Sequence, residues 1–321
     1  MISTELATKM TYRDAVIEGK QFMQDFPSAC TINRRIIEYG ERIKAFNGEK
    51  MKDTHVEVAF ADGTKTHSQE RGRSKNEVNV VVVGMSEGKK VLLDAQVNRP
   101  WADTARTLNA AGAFADEAVF IADAEQELRA ALVTGKRSFQ LDFLHAFRDT
   151  SYKLWKESEM ALEDRKRIIN KLKMILFSLS NAVAVQRAGS TGEPLKQKIN
   201  ETGDALKKLA DRLWTLGCSK AASFIREYSN TLVTFAVLAV KGRKVPWNSN
   251  VIERLMGEIA KRAKHKWMRW TSKGLETLLN LILVRYTSED SYERFKRQVM
   301  KSDIAMFIRG EVDLMSARGE F

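Results

Sequence analysis

The sequence predicts an α/β protein in which a mixed sheet of five strands is followed by a long helical region. Residues 55–145 contain alternating or β-branched runs of strand length, separated by turn residues and by two helical patterns. Residues 146–244 contain almost no strand pattern and consist of long amphipathic helical repeats. The chain has only four prolines, which argues against long disordered linkers.

Residues 1–50 are expected to be helical, as a short helix followed by a longer one. In the longer helix, apolar side chains recur at helical spacing: Ile32, Ile36, Tyr39 and Ile43. The pair is similar to a helix-turn-helix, in which Arg34 and Arg35 would face DNA. The charge of this segment is about neutral, which favours the alternative of an ordinary amphipathic hairpin.

The five expected strands are interleaved with two helices. The first three strands are joined by turns and predict an antiparallel meander. A helix then precedes each of the last two strands, which predicts a parallel layer. The strand patterns are HVEVAF, EVNVVVVGM, KKVLLDAQV, EAVFIAD and SFQLDFLH, and the helical patterns are NRPWADTARTLNAAG and AEQELRAALVTG.

The charge of the chain points to a polyanionic partner. Lys and Arg total 53 against 41 Asp and Glu, which gives a net charge of +12. An excess of this size is most often found in proteins that bind nucleic acid. Residues 241–301 hold 15 basic and 6 acidic residues, so most of the excess lies in one segment.

Cysteine usage and hydropathy indicate a soluble protein of the cytoplasm. Cys30 and Cys218 have neither metal-ligand nor CxxC spacing, as expected of thiols in a reducing compartment. The N-terminus lacks the apolar region of a signal peptide. The apolar runs at 231–240 and 275–284 are too short to span a bilayer, so no membrane partner is expected.

Three carboxylates are candidates for metal chemistry. Asp62 is expected at the end of the first strand, Asp123 at the end of the fourth, and Glu253 in the late basic helix. Strand ends and a helix beside them can bring distant residues together. Clustered carboxylates repel one another unless divalent cations neutralise them, and oxygen ligands suit Mg²⁺ or Mn²⁺. Two such ions would clamp the attacking and leaving oxygens of a phosphoryl transfer.

Each carboxylate also has a purely structural interpretation. Asp62 with the following glycine is a common turn dipeptide. Asp123 with Gln126 fits a capping box, and so does Asn250 with Glu253. These interpretations explain neither the ordered Asp, Asp, Glu series nor the charge excess around Glu253.

The helix that carries Glu253 is expected to face DNA. Gly257 and Ala260 share a face with Glu253 and leave room there for a metal ion or a DNA backbone. Trp267 and Trp270 would stack on unpaired bases, with the alternative that both pack in the core. The basic side chains expected to hold phosphates are Lys261, Arg262, Lys264, Lys266 and Arg269.

Taken in order, these blocks resemble the Mutator-type insertion-sequence transposases, which are Asp-Asp-Glu enzymes with an RNase H-like catalytic domain. The family has a Cys-or-Asp, two residues, His signature after its second aspartate, and DFLH, with Asp142 and His145, is similar to it. NSNVIERLMGEIAKR resembles the family's block around the glutamate, which commonly follows Ser-Asn. The resemblance covers roughly residues 55 to 300.

The resemblance implies an RNase H-like mixed sheet with a large helical insertion before the catalytic glutamate. The implied segments are a DNA-binding segment (1–50), the first part of the catalytic core (51–145), the insertion (146–244), and the catalytic helix with basic C-terminal helices (245–321). The first segment is shorter than the family's usual N-terminal region, so the resemblance implies a truncated or short form. Asp62, Asp123 and Glu253 would hold two Mg²⁺ or Mn²⁺ ions, and His145 would be an accessory active-site residue.

The implied function is DNA transposition. The enzyme would nick DNA at the element ends and join them to target DNA by 3′-hydroxyl attack, acting at the nucleoid as a homodimer or larger assembly. Two alternatives stay open. One is a non-catalytic DNA-binding regulator derived from a transposase, and the other is a nuclease of the same fold that cuts without joining.

Overall fold

The computed structural model of the 321-residue chain describes residues 2–51, 55–84, 90–157, 159–187, 192–264 and 268–301. Within these ranges the chain forms a five-stranded mixed sheet and a set of helices, which confirms the α/β class. The strands are β1 (Val56–His67), β2 (Lys75–Gly84), β3 (Lys90–Val97), β4 (Phe114–Ala122) and β5 (Ser138–Leu141).

The sheet has the order β3-β2-β1-β4-β5. The first three strands pair antiparallel, and β4 and β5 extend the sheet in parallel with β1. The parallel strands are reached through α4 (Trp101–Ala110) and α5 (Gln126–Leu132). The expected meander that passes into a parallel layer is therefore present.

Two strand ends differ from the sequence prediction. β1 does not end near Asp62 but continues to His67, because β2 pairs with it along its whole second half, from Ala59 to His67. β5 ends at Leu141, and the residues up to His145 form the start of a helix instead.

The N-terminal helices are packed into the α/β unit. They are α1 (Ile2–Ala7), α2 (Tyr12–Phe22) and α3 (Ala29–Met51). The expected apolar face of α3 is buried, and α3 packs along α12 (Ser272–Thr287). Gly40 permits this close approach, because a Cβ there would lie 2.4 Å from the Thr277 carbonyl oxygen. The amphipathic hairpin thus describes this segment well.

The region between β5 and the glutamate helix is helical, as expected. It contains α6 (Phe143–Glu157), α7 (Leu162–Arg187), α8 (Gly192–Thr215), α9 (Ser219–Leu232) and α10 (Thr234–Val240). Glu157, at the end of α6, accepts hydrogen bonds from the Ser219 hydroxyl and from the Lys220 and Ala221 N–H groups. These bonds cap α9 and join it to α6.

Helix α7 is the one helix of the described ranges that is long and apolar enough to cross a membrane. The most apolar 18-residue window of its stretch Leu162–Gln186 has a mean hydropathy of 1.4, and 22% of that window is buried. Sequence reasoning missed this stretch because charged residues interrupt it. Leu172, Leu176 and Leu179 are buried in the fold, and the helix packs against its neighbours α6 and α8. Most of the apolar window is nevertheless not buried, and one such helix is weak evidence for a membrane span.

Candidate active site

The two aspartates lie at the same level of adjacent parallel strands. Phe60 of β1 pairs with Ile121 of β4, and Asp62 and Asp123 each follow two residues later. Side chains two residues apart share a face of a sheet, so both aspartates belong to the same face. One oxygen of Asp62 accepts the Gly63 N–H at 2.8 Å. The fold therefore brings these two predicted site residues together.

Burial raises the pKa of the Asp62 carboxyl to about 6. His145 lowers this pKa, the neighbouring Asp123 charge raises it further, and the Gly63 N–H and Arg148 lower it. Two carboxylates that share a site hinder each other's ionisation. Asp62 thus lies among charged groups of both signs. Carboxyl groups with a pKa perturbed in this way are found most often at functional sites.

Asp142 connects two helices that come together at this site. It is fully buried. Its Oδ1 accepts the His145 N–H at 2.9 Å and so begins α6 directly after β5. Its Oδ2 accepts the Ser249 N–H at 2.5 Å, immediately before α11 (Asn250–Ala263). One carboxylate therefore holds the starts of α6 and α11 side by side, which places His145 near Glu253.

His145 lies between Arg148 and Glu253, with one ring nitrogen toward each. The His145 Nδ1 lies 2.8 Å from the Arg148 Nη2. The His145 Nε2 lies 3.6 Å from the Glu253 Oε1. His145 is buried, whereas the Glu253 side chain is 38% exposed. The exposed part of Glu253 is accessible to a substrate or cation.

The structural interpretations of the carboxylates are wrong at all three positions. Asp62 and Gly63 lie within β1, paired with β2, and form no turn. Asp123 accepts the Glu125 N–H at 3.0 Å, and it is Glu125 that precedes α5. In α11 the residue before the helix is Ser249, without a side-chain capping bond, so Glu253 is not part of a capping box.

The described residues contain one group of three side chains whose ligand atoms lie within 4.8 Å of one another: Asp142, His145 and Glu253. The expected trio of Asp62, Asp123 and Glu253 does not form such a group there. Asp142 already accepts two backbone N–H groups, so part of its ligand capacity is used in holding the fold. Carboxylate oxygens suit a hard divalent cation, and the site has them at Asp62, Asp123 and Glu253 as well as at Asp142.

No protein-family model matches the chain, and a search of curated proteins finds no significant match. Its chemistry must therefore be argued from the site itself.

Sequence reasoning missed three participants in this site. Glu125 lies close to Asp62 and Asp123, and burial raises its pKa while a hydrogen bond from Trp101 opposes the rise. Arg148 was missed although it follows His145 by three residues on a helix, a spacing that places both on one face. Asp142 was recognised only as part of a signature, and its two hydrogen bonds depend on contacts far along the chain.

The structure places Arg262 and Trp270 in the core rather than on a DNA-binding face. Arg262 is buried, and its Nε donates to the Ala7 carbonyl at 2.7 Å. Its guanidinium lies 5.2 Å from the Tyr12 ring and 5.0 Å from the Trp270 ring. The Trp270 indole donates to the Ala263 carbonyl at 3.1 Å. The expected DNA contact by Arg262 is therefore corrected, and core packing is the right interpretation of Trp270.

The other candidate DNA contacts are distributed over two areas. Arg34 and Arg269 are exposed and line one groove of about 1040 Å³. Arg35 instead donates to the Ser3 hydroxyl at 3.2 Å and holds α1 on α3. Lys261 and Lys264 are exposed at the end of α11, where Lys261 pairs with a glutamate of the same helix. Two further candidates, Lys266 and Trp267, lie outside the described residues.

Proposed function

We propose that the chain is a metal-dependent DNA transposase of the Asp-Asp-Glu type. It would nick DNA at the ends of a mobile element and transfer the freed 3′-hydroxyl to target DNA. The observation that carries this proposal is the placement of Asp62 and Asp123 at one level of adjacent parallel strands, with His145 beside Asp62 and facing Glu253. The strand order is compatible with an RNase H-like sheet.

Asp62, Asp123 and Glu253 are the residues that would hold two Mg²⁺ or Mn²⁺ ions. Such ions, when bound, activate the attacking oxygen and stabilise the leaving oxygen of a phosphoryl transfer. Burial raises the pKa of Asp62 most and the Asp123 charge raises it further, and a bound cation would offset both effects by stabilising the charged carboxylate. His145 and Arg148 would orient Glu253 and partly balance the carboxylate charges.

DNA is the partner that fits the net charge of +12. Arg34, Arg269, Lys261 and Lys264 are exposed and would contact its phosphates. By analogy with transposases that pair two element ends, the active form would be a homodimer or larger assembly. It would act in the cytoplasm, at the nucleoid.

The first prediction concerns Glu253. The Glu253→Gln variant should lower metal-dependent nicking of a supercoiled plasmid on the order of 100-fold or more, because an amide replaces a charged metal ligand. The measurement follows nicked product in Mg²⁺ and in Mn²⁺, together with joining of a labelled oligonucleotide end.

A matched control is Glu258→Gln on the same helix, whose carboxylate pairs with Lys261. This variant should nick as wild type does. Equal nicking by wild type and Glu253→Gln would reject the assignment of Glu253. Nicking without joining would favour the nuclease, and DNA binding without any nicking in either metal would favour the regulator.

A further inference from the structure

A groove lined with aromatic side chains and with charged side chains of both signs extends from the candidate active site across the helical insertion. It has a volume of about 930 Å³ and begins at Asp123 and Arg148. From there it continues along α6, past Tyr152, to α9 and the end of α8. The groove therefore shares Asp123, Glu125 and Arg148 with the candidate site and continues away from it.

Three large aromatic side chains in and beside the groove are exposed. Tyr152 is 54% exposed, Trp155 is 58% exposed and Trp214 is 54% exposed. The Tyr152 and Trp155 rings lie 5.8 Å apart. Exposed aromatic surface is unfavourable in water, so a cluster of this kind marks a binding surface.

Basic side chains accompany the rings. The Lys156 Nζ lies 5.5 Å from the centres of both the Tyr152 and Trp155 rings, and the Arg226 guanidinium lies 5.2 Å from Trp214. Lys153 and Lys220 line the same groove. Rings that stack on bases beside cations that hold phosphates are the arrangement that binds single-stranded nucleic acid. Four acidic side chains also line the groove: Asp123 and Glu125 at its catalytic end, Asp149 on α6 and Glu227 on α9. They equal the four basic side chains of the lining in number, so the rings rather than net charge distinguish this groove.

The groove is held in place relative to the carboxylates. The Tyr228 hydroxyl donates to the Ala124 carbonyl at 3.2 Å, directly after Asp123. At the other end, Glu157 caps α9 and so joins it to α6. A strand seated in the groove would therefore have a fixed position relative to Asp123.

We propose that this groove binds a short unpaired stretch of DNA next to the bond that is cut. Bases would stack on Tyr152, Trp155 and Trp214, and Lys153 and Lys156 would hold the phosphates. An intact duplex fits less well, because its base faces are already stacked and inaccessible to side-chain rings. The proposal rests on the proposed function for the identity of the ligand as DNA and for its placement beside a cleavage site.

The test is binding of a single-stranded oligonucleotide that contains 2-aminopurine, measured in EDTA so that no metal chemistry takes place. Tyr152→Ala and Trp214→Ala should each weaken binding about tenfold and reduce the quenching of the fluorescent base, since each removes one stacking ring. Affinity for a fully paired duplex should change less than twofold.

Two controls separate stacking from other effects. Phe22→Ala removes an 83% exposed ring from α2 and should leave single-strand affinity unchanged. Tyr152→Phe keeps the ring and should bind as wild type does. Unchanged single-strand affinity in both alanine variants would overturn the proposal, and so would an equal loss of single-strand and duplex binding.

Taken together, the oligonucleotide-binding assay and the plasmid nicking assay distinguish failure of the groove proposal from failure of the proposed function. If the plasmid is never nicked but the alanine variants lose single-strand binding, the groove stands and the catalytic proposal falls. If nicking depends on Glu253 but the alanine variants bind the oligonucleotide normally, only the groove proposal is overturned.

Discussion

At the scale of single residues, the Asp62 carboxylate is kept in a position that is unfavourable for its charge. Burial raises its pKa to about 6, and the neighbouring Asp123 adds to the rise. A residue selected only for strand stability would not be ionisable at this position. This cost is what a site that awaits a cation or a substrate would be expected to show.

The raised pKa of Asp62 determines how stability should depend on pH. The folded state binds the Asp62 proton more tightly than the unfolded state does, so this group favours folding below about pH 4. That contribution is lost as the pH rises through about 6. Asp62→Asn should therefore raise the free energy of unfolding at pH 7.5 by about 1–2 kcal/mol, reduced from the full linkage value by partial exposure.

The measurement is urea unfolding of wild type and Asp62→Asn at pH 4 and at pH 7.5. Asp204→Asn, an exposed position of α8, is the control and should not alter the pH dependence. If Asp62→Asn loses as much stability as wild type over this range, Asp62 is not the group that titrates. The variant should in any case be inactive in metal-dependent nicking.

At the scale of elements, the approach of α3 to α12 depends on a glycine. A Cβ at Gly40 would lie 2.4 Å from the Thr277 carbonyl oxygen and 2.5 Å from the Thr277 Cβ. Gly48 lies on the same helix, and a Cβ there would meet nothing within 4 Å. The two glycines thus differ in their surroundings and share one helix.

Alanine at these two positions should have opposite effects on stability. Gly40→Ala should lower the free energy of unfolding by about 1–3 kcal/mol, because the helices must move apart. Gly48→Ala should raise it by up to about 1 kcal/mol, because alanine is the better helix former. Urea unfolding of both variants checks this. A stabilised Gly40→Ala protein would show that α3 and α12 do not pack as closely as described.

At the scale of the whole molecule, Asp142 joins two distant parts of the chain, because it accepts a hydrogen bond from the Ser249 N–H, 107 residues further along. The long helical region, α6 to α10, lies between them, and the candidate site forms only because the chain after this region returns to the end of β5. A single buried carboxylate makes both bonds. An amide at this position can accept one of the two N–H groups well but presents a donor to the other.

Asp142→Asn should therefore lower both stability and activity. One buried N–H would lose its acceptor, which costs about 1–3 kcal/mol of unfolding free energy. The start of α11 would shift, and with it Glu253. Thermal unfolding and the plasmid nicking rate are the measurements, and Asp103→Asn, which removes a surface ion pair of α4, is the control. An Asp142→Asn protein as stable and active as wild type would contradict this role.

Much of the fold was predictable because periodicity reports local backbone structure. The five strands, the two crossover helices and the buried face of α3 all follow from spacing within a few residues. Errors occur where a long-range contact decides the outcome. β1 continues past Asp62 because β2 pairs with it, and β5 ends early because Asp142 begins a helix.

The candidate site was predictable only in part. Asp62, Asp123, His145 and Glu253 were singled out from sequence, but the pattern could not show that His145 lies near both Asp62 and Glu253. The same limit explains the error at Arg262. A basic residue on a basic helix predicts an exposed charge, and only the rings of Tyr12 and Trp270 around it show that it is buried.

The sequence by itself determined the α/β class, the element types, the charge that favours a polyanion and the acidic residues worth testing. Tertiary structure alone decided which of these residues meet, that Glu253 is not a helix cap, and that exposed rings on the insertion line a groove beside Asp123. The physical reason is that helix and strand patterns arise from neighbouring residues. A site arises from packing between residues far apart in the chain, which no local pattern records.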